Sequence, residues 1–192
     1  MKLVALCALL ALAIAHCYAA TSDDPSTGST SSGQSIADDL KSYTSAEIAL
    51  VPAGLMNQPL QKNDLATMLS YPSEGIVVIE LTGSQIRQAL ERSASLFPQP
   101  NVGFLQIAGL EVTIKKSGAP DSRVTSVTVN GSKLEDAKAY QVAMPSSLQR
   151  GQLGYSNLWD KAKVTHSFSK ITLQDVLKDK HVVQSSPRWV VV

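Results

Sequence analysis

The chain has 192 residues, with 17 basic and 16 acidic side chains and a formal net charge of +1. That length favours one domain, and a charge so near balance lacks the clustered basic surface that a nucleic-acid backbone needs. Beyond the N-terminal twenty or so residues no apolar run is long enough for a membrane-spanning helix.

The N-terminus has its own pattern. Lys2 is followed by an apolar run, Leu3 to Ala15, and then by small residues, so cleavage is expected after Ala19 or Ala20. The run is too short to cross a bilayer. Residues 1–20 therefore read as an export signal, and the mature protein is expected to be secreted or extracytoplasmic, in a periplasm or outside the cell. Cys7 and Cys17 both lie in this segment, so the mature chain offers neither a disulfide nor a thiolate. Acylation at Cys17 is disfavoured, because His16 is bulkier than the small residue that usually precedes such a site. Without Lys2 the chain carries 16 basic and 16 acidic side chains.

Residues 21–34 are rich in Ser, Thr, Gly and Asp and read as a flexible linker, with the folded domain at 35–192. Ser35-Ile36-Ala37-Asp38 starts a helix with Ile36 and Leu40 on one face. Ile48 to Val51 is a short strand, and Asp64 to Leu69 has helical spacing. Gly75 to Leu81 is β-branched and nearly all apolar, the pattern of a strand buried on both faces. Thr82-Gly83-Ser84-Gln85 is a capping-box sequence. It opens a helix whose inward positions are Ile86, Ala89, Leu90, Ser93 and Phe97.

The second half is mostly extended. Phe104 to Lys115 and Arg123 to Val129 alternate in part. Asn130-Gly131 is a hairpin turn signal, which explains the pair better than the glycosylation pattern Asn130-Gly131-Ser132. Tyr140 to Met144, Val164 to Phe168 and Trp189 to Val192 are further strands. Thr172-Leu173-Gln174-Asp175 caps a short helix with Val176 and Leu177 inward. The whole reads as an α+β single domain of mixed sheet with packed helices.

No complete catalytic set appears. His166 and His181 are the only histidines after the leader, and no His-x-x-x-His, Asp-x-His or Asn-His-Glu cluster supplies a binuclear metal site. A Gly-x-Ser-x-Gly elbow, a Walker loop and a Rossmann glycine fingerprint are missing. The adjacent Asp38 and Asp39 face different sides of a helix, which suits solvation or capping rather than an acid/base pair. Structural or surface roles are the better reading for both histidines. No metal and no cofactor is expected.

The order of the segments carries a resemblance. Gly33 to Leu40 (GQSIADDL) is similar to G-N-x-I-A-D-A-L, Glu47 to Val51 to the strand before an N-G-G-G-I-R loop, and Asp64 to Tyr71 to D-V-x-x-x-L-P-F. Val77 to Ala89 (VVIELTGSQIRQA) is close to L-V-x-x-x-L-T-G-x-x-I-x-x-A. Gly103 to Gly109 (GFLQIAG) resembles G-x-F-L-Q-V-S-G, and Arg123 to Gly131 (RVTSVTVNG) another characteristic strand pair. Over about residues 33–165 the chain resembles the C-terminal, substrate-binding domain of the 5′-nucleotidase family, here without the N-terminal metallophosphoesterase domain. The resemblance implies that the absent domain would hold two metal ions and hydrolyse phosphoesters, while this one positions substrate.

The resemblance also implies site residues. Two aromatic rings clamp the base in that family; they fall on Tyr71 and, from G-G-D-G-F/Y, on Tyr155. A following Asp falls on Asp160. The N-G-G-G-I-R loop is degenerate: Pro52 stands for the Asn and has no backbone donor, Gly54 is kept, Leu55 replaces a glycine, and Asn57 replaces the Arg whose fork would hold an anion. Leu153 replaces an Asp, and Pro145 stands for an Asn nearby. Three functions follow as expectations. The first is a non-catalytic binding or accessory module for a nucleoside-like small molecule or a protein partner. The second is the substrate-positioning half of a split nucleotide phosphohydrolase, partnered by a separate metallophosphoesterase. The third is a structural or interaction relic with no ligand.

Overall fold

The computed structural model describes residues 24–159 and 162–192. The expected export signal, 1–20, lies outside them, as does Asp160. Thr30 caps the first helix, α1 (Ser31–Thr44), by accepting from the Gly33 backbone N–H. Strand β1 (Ile48–Pro52) follows, then a 3-10 turn over Ala53–Leu55 and a second over Leu65–Met68, which Asp64 caps. Strand β2 (Gly75–Thr82) runs into α2 (Gly83–Ala94) through the expected capping box: Thr82 and Gln85 satisfy each other's backbone N–H groups. Ile86, Ala89, Leu90 and Ser93 face inward, while Phe97 lies past the helix and packs at the edge of the core.

The alternating stretch at 104–115 is two strands, β3 (Leu105–Ala108) and β4 (Leu110–Ile114), in different sheets. Gly109 makes the switch. Its φ is +75°, and a Cβ there would collide with the Glu47 carbonyl oxygen, so neither the backbone nor the space admits a side chain. Strands β5 (Val124–Val129) and β6 (Ser132–Lys133) form the hairpin read from Asn130-Gly131, with both turn residues at positive φ. Then come β7 (Ala139–Pro145), the short α3 (Ser146–Gln149) and α4 (Ser156–Trp159), β8 (Val164–Thr172), α5 (Leu173–Leu177) and β9 (Trp189–Val191).

The strands form a five-stranded sheet, β3-β1-β7-β2-β8, and a four-stranded sheet, β6-β5-β4-β9, each of mixed direction. The α+β expectation holds, with two sheets in place of one. Period-2 alternation divides the core. Ile48, Leu50, Val77, Ile79, Val142 and Met144 pack towards α2 and the second sheet. Ala49, Val51, Val78 and Ala143 pack with Ile36 and Leu40 of α1 and Leu173 of α5. Among the described residues no helix is long and apolar enough to cross a membrane.

The linker expectation needs correction over residues 24–34. Helix α1 begins at Ser31, and Gly33, Gln34 and Ser35 are buried. The polar composition conceals the reason: these side chains bond to the core and to the C-terminal segment. Gln34 Oε1 and Ser29 Oγ accept from the Arg188 backbone N–H, and Ser29 Oγ also accepts from Trp189 N–H.

A candidate ligand cleft at the ends of two parallel strands

Strands β1 and β7 are the parallel pair of the larger sheet, aligned Ile48 with Val142 and Ala49 with Ala143. Each ends in a proline, Pro52 and Pro145, which has no N–H to continue the ladder. Chain leaving the carboxyl ends of adjacent parallel strands diverges and opens a crevice, the usual ligand position in such sheets. Here it is a cleft of about 930 Å³. One side is the turn after β1, Ala53 to Pro59. Another is the loop after β7, with Ser147, Leu148, Arg150, Gln152 and Leu153. Met68, Tyr71, Glu74 and Val102 line it too, as do Asp24, Pro25 and Ser26.

Hydrogen bonds fix both loops. Ala53 and Gly54 donate their N–H groups to the Phe104 and Val102 carbonyls at 2.8 Å each. Ser70 N–H donates to Leu55 O at 3.0 Å, which sets Tyr71 beside the first loop. Glu74 accepts from the Ser147 N–H at 2.7 Å and ties the Tyr71 turn to the second loop. That second loop is held from below by Arg92 of α2, whose guanidinium donates to Leu153 O at 2.9 Å.

The structure brings only one of the two expected clamp rings to the cleft. Tyr71 lines it and is 62% exposed. Tyr155 has no exposed surface. Its ring stacks on Trp159, with centroids 5.1 Å apart and planes 7° apart, and its hydroxyl donates to Gly103 O at 2.7 Å. The Arg92 guanidinium also lies 5.9 Å from the ring centroid. Burial pushes the Tyr155 phenol well above its ordinary range, only partly offset by the Arg92 charge, so it stays neutral. Of the two expected rings only Tyr71 thus lines the cleft, with Leu153 lining it from the second loop.

Gly54 and Asn57 line the cleft and Pro52 is buried at its base. Asn57 Oδ1 accepts from Gln58 Nε2 at 3.1 Å and from the Ser70 hydroxyl, so it is engaged within the loop. Asp38 is an ion-pair partner of Arg188 at 2.7 Å. His181 Nδ1 lies 3.0 Å from Asn63 O, and the His166 ring is 5.7 Å from that of Phe168. Among the described residues no three His, Cys, Asp or Glu side chains converge as a metal site.

A model of the 5′-nucleotidase C-terminal domain matches residues 13–160. The chain belongs to this family. A 5′-nucleotidase-related protein from Glossina morsitans morsitans is 35% identical over 134 residues, covering 63% of this chain and 24% of that protein. An apyrase from Anopheles gambiae is 28% identical over 131 residues, covering 64% and 23%. The chain thus spans about a quarter of the length of these curated relatives. The crystal structure of a 5′-nucleotidase precursor from Thermus thermophilus superposes with a TM-score of 0.72 at 23% identity, over 86% of this chain and 36% of that one. At that identity the likeness shows the fold alone.

Sequence reasoning missed Arg150, Glu74 and the segment Asp24 to Ser26 as contributors to the cleft. Glu74 carries no motif, and the N-terminal segment has the composition of a linker. Arg150 lies next to the G-G-D-G-F/Y-like stretch but outside its matched positions. The burial of Tyr155 did leave a signal, since Tyr155 and Trp159 are four residues apart, the spacing that places two side chains on one helical face.

Proposed function

We propose that this domain is a binding or accessory module, not catalytic by itself, that holds a nucleoside-like small molecule in the cleft beyond β1 and β7. The observation that carries the reading is Tyr71, a large ring exposed on the wall of a cleft otherwise lined by a mixture of aliphatic and polar residues. Stacking of a base on one aromatic ring contributes about 1–3 kcal/mol. Arg150 adds one cation at the cleft rim, and Asn57 stands where the resemblance expects an anion-binding Arg. The test is titration of the protein with adenosine, read by tyrosine and tryptophan fluorescence or calorimetry. Saturable binding is expected, with the response lost in Tyr71→Ala and stability changed by less than about 0.5 kcal/mol, as for an exposed residue. Hydrolysis of AMP by the purified domain with added Zn²⁺ or Mn²⁺ would refute the non-catalytic part. Flat titrations across several nucleosides would leave a fold serving protein contacts only.

The length of the relatives favours a second reading, in which the domain positions substrate for a metallophosphoesterase unit outside these residues. Co-purification of such a unit, with altered substrate preference in the complex, is its expected outcome. Under either reading we place the protein outside the cytoplasm, on the strength of the export pattern at residues 1–20.

A further inference from the structure

Three residues of the cleft wall, Asp24, Pro25 and Ser26, come from a stretch whose composition suits a linker, and one buried side chain holds that stretch in place. Gln106 sits in β3 with no exposed surface, on the sheet face covered by α1. It does not line the cleft. Its Nε2 donates to Pro25 O at 2.9 Å and to Gly28 O at 2.6 Å, and its Oε1 accepts from Thr30 N–H at 3.1 Å. One amide thus satisfies three backbone groups within six residues, using both ends of its donor and acceptor capacity. The fit is close: a Cβ on Gly33 would lie 2.5 Å from Gln106 Cγ. Further bonds continue the attachment. Asn101 N–H donates to Ser26 O at 2.9 Å, and the Asp24 carboxylate accepts from Ser26 N–H at 2.8 Å.

We propose that residues 24–30 are a built-in wall of the ligand cleft and that Gln106, remote from the ligand, is the positioning residue that sets this wall. The proposal rests on the binding reading above for its effect on affinity, but not for its structural content. A buried amide that bonds only to backbone selects one path for the segment whatever its side chains are. The wall is therefore preorganised, and the ligand does not have to order it. The same arrangement makes Ser26 a position that shapes ligand size, since it lines the cleft while its own carbonyl is held by Asn101.

Two variants test this. Gln106→Leu keeps the volume but removes all three bonds. Hydrogen exchange at the Thr30 and Asn101 amides should accelerate by on the order of tenfold or more, with β2 and β7 amides unchanged. Adenosine should bind on the order of tenfold more weakly than to the wild type, the cost of ordering a released wall. Ser26→Trp leaves the clip intact and fills the cleft, so exchange should be unchanged and adenosine binding lost. Unchanged exchange in Gln106→Leu overturns the clip. Faster exchange with unaltered adenosine affinity overturns the wall. Undiminished binding in Ser26→Trp does the same. If the wild type itself fails to bind adenosine, the nucleoside reading fails, and the exchange data alone decide whether Gln106 positions the segment.

Discussion

Truncating Tyr155 to alanine should cost about 3–5 kcal/mol of stability, the usual loss for a large buried ring. The basis is a side chain with no exposed surface, stacked on Trp159 and bonded to Gly103 O. Tyr155→Phe should cost about 1–3 kcal/mol, because it leaves the buried Gly103 carbonyl without that donor. Chemical denaturation of both variants checks this, and neither loss concerns a ligand directly. Tyr71 is the opposite case, an exposed ring whose removal is expected to spare stability and affect binding. The sequence pointed to both tyrosines through one resemblance, yet only burial separates them. A loop motif specifies where a ring leaves the backbone, not which neighbours compete for its faces. Trp159, four residues on, stacks on one face of the Tyr155 ring.

At the scale of elements, the legible features were the local ones. Both capping boxes, the Asn130-Gly131 turn and the doubly buried β2 follow from a few adjacent residues, and all are present. Helix α1 starts four residues before the expected Ser35, because Thr30 caps it within a stretch that otherwise suits disorder. The division between β3 and β4 rests on Gly109 meeting Glu47, a contact across sequence that no local pattern carries. The cap of α5 yields a pH prediction. Bonds from the Thr172 backbone N–H, then from its hydroxyl, hold the Asp175 carboxyl below its ordinary value of 3.8. Its stabilising contribution is therefore complete above that value and is lost as pH falls through the depressed one. Thr172→Ala should lower the Tm by a few degrees at neutral pH. The gap from wild type should narrow below about pH 4, as thermal melts across pH would show.

For the whole molecule, the N- and C-terminal segments of the fold meet. Ser29 and Gln34 accept from Arg188, and the Trp189 indole donates to Leu105 O at 2.9 Å. Anything that alters the chain just before residue 24 therefore acts on a packed region. The export reading predicts a definite N-terminus for it. Protein recovered from the periplasm or culture medium should begin at Ala20 or Thr21 by N-terminal sequencing. Recovery from the cytoplasm with Met1 retained would reject that reading.

The strand order has a consequence for synthesis. The middle strand of the larger sheet, β7, comes late in the chain at Ala139–Pro145, yet it separates β1 from β2. While the ribosome is still making the first two thirds of the protein, β1 and β2 have no template between them. The nascent chain is thus held back from its final form by topology, since distant pairings form slowly. Under the export reading, that delay would keep the polypeptide threadable, the condition a narrow translocation channel imposes.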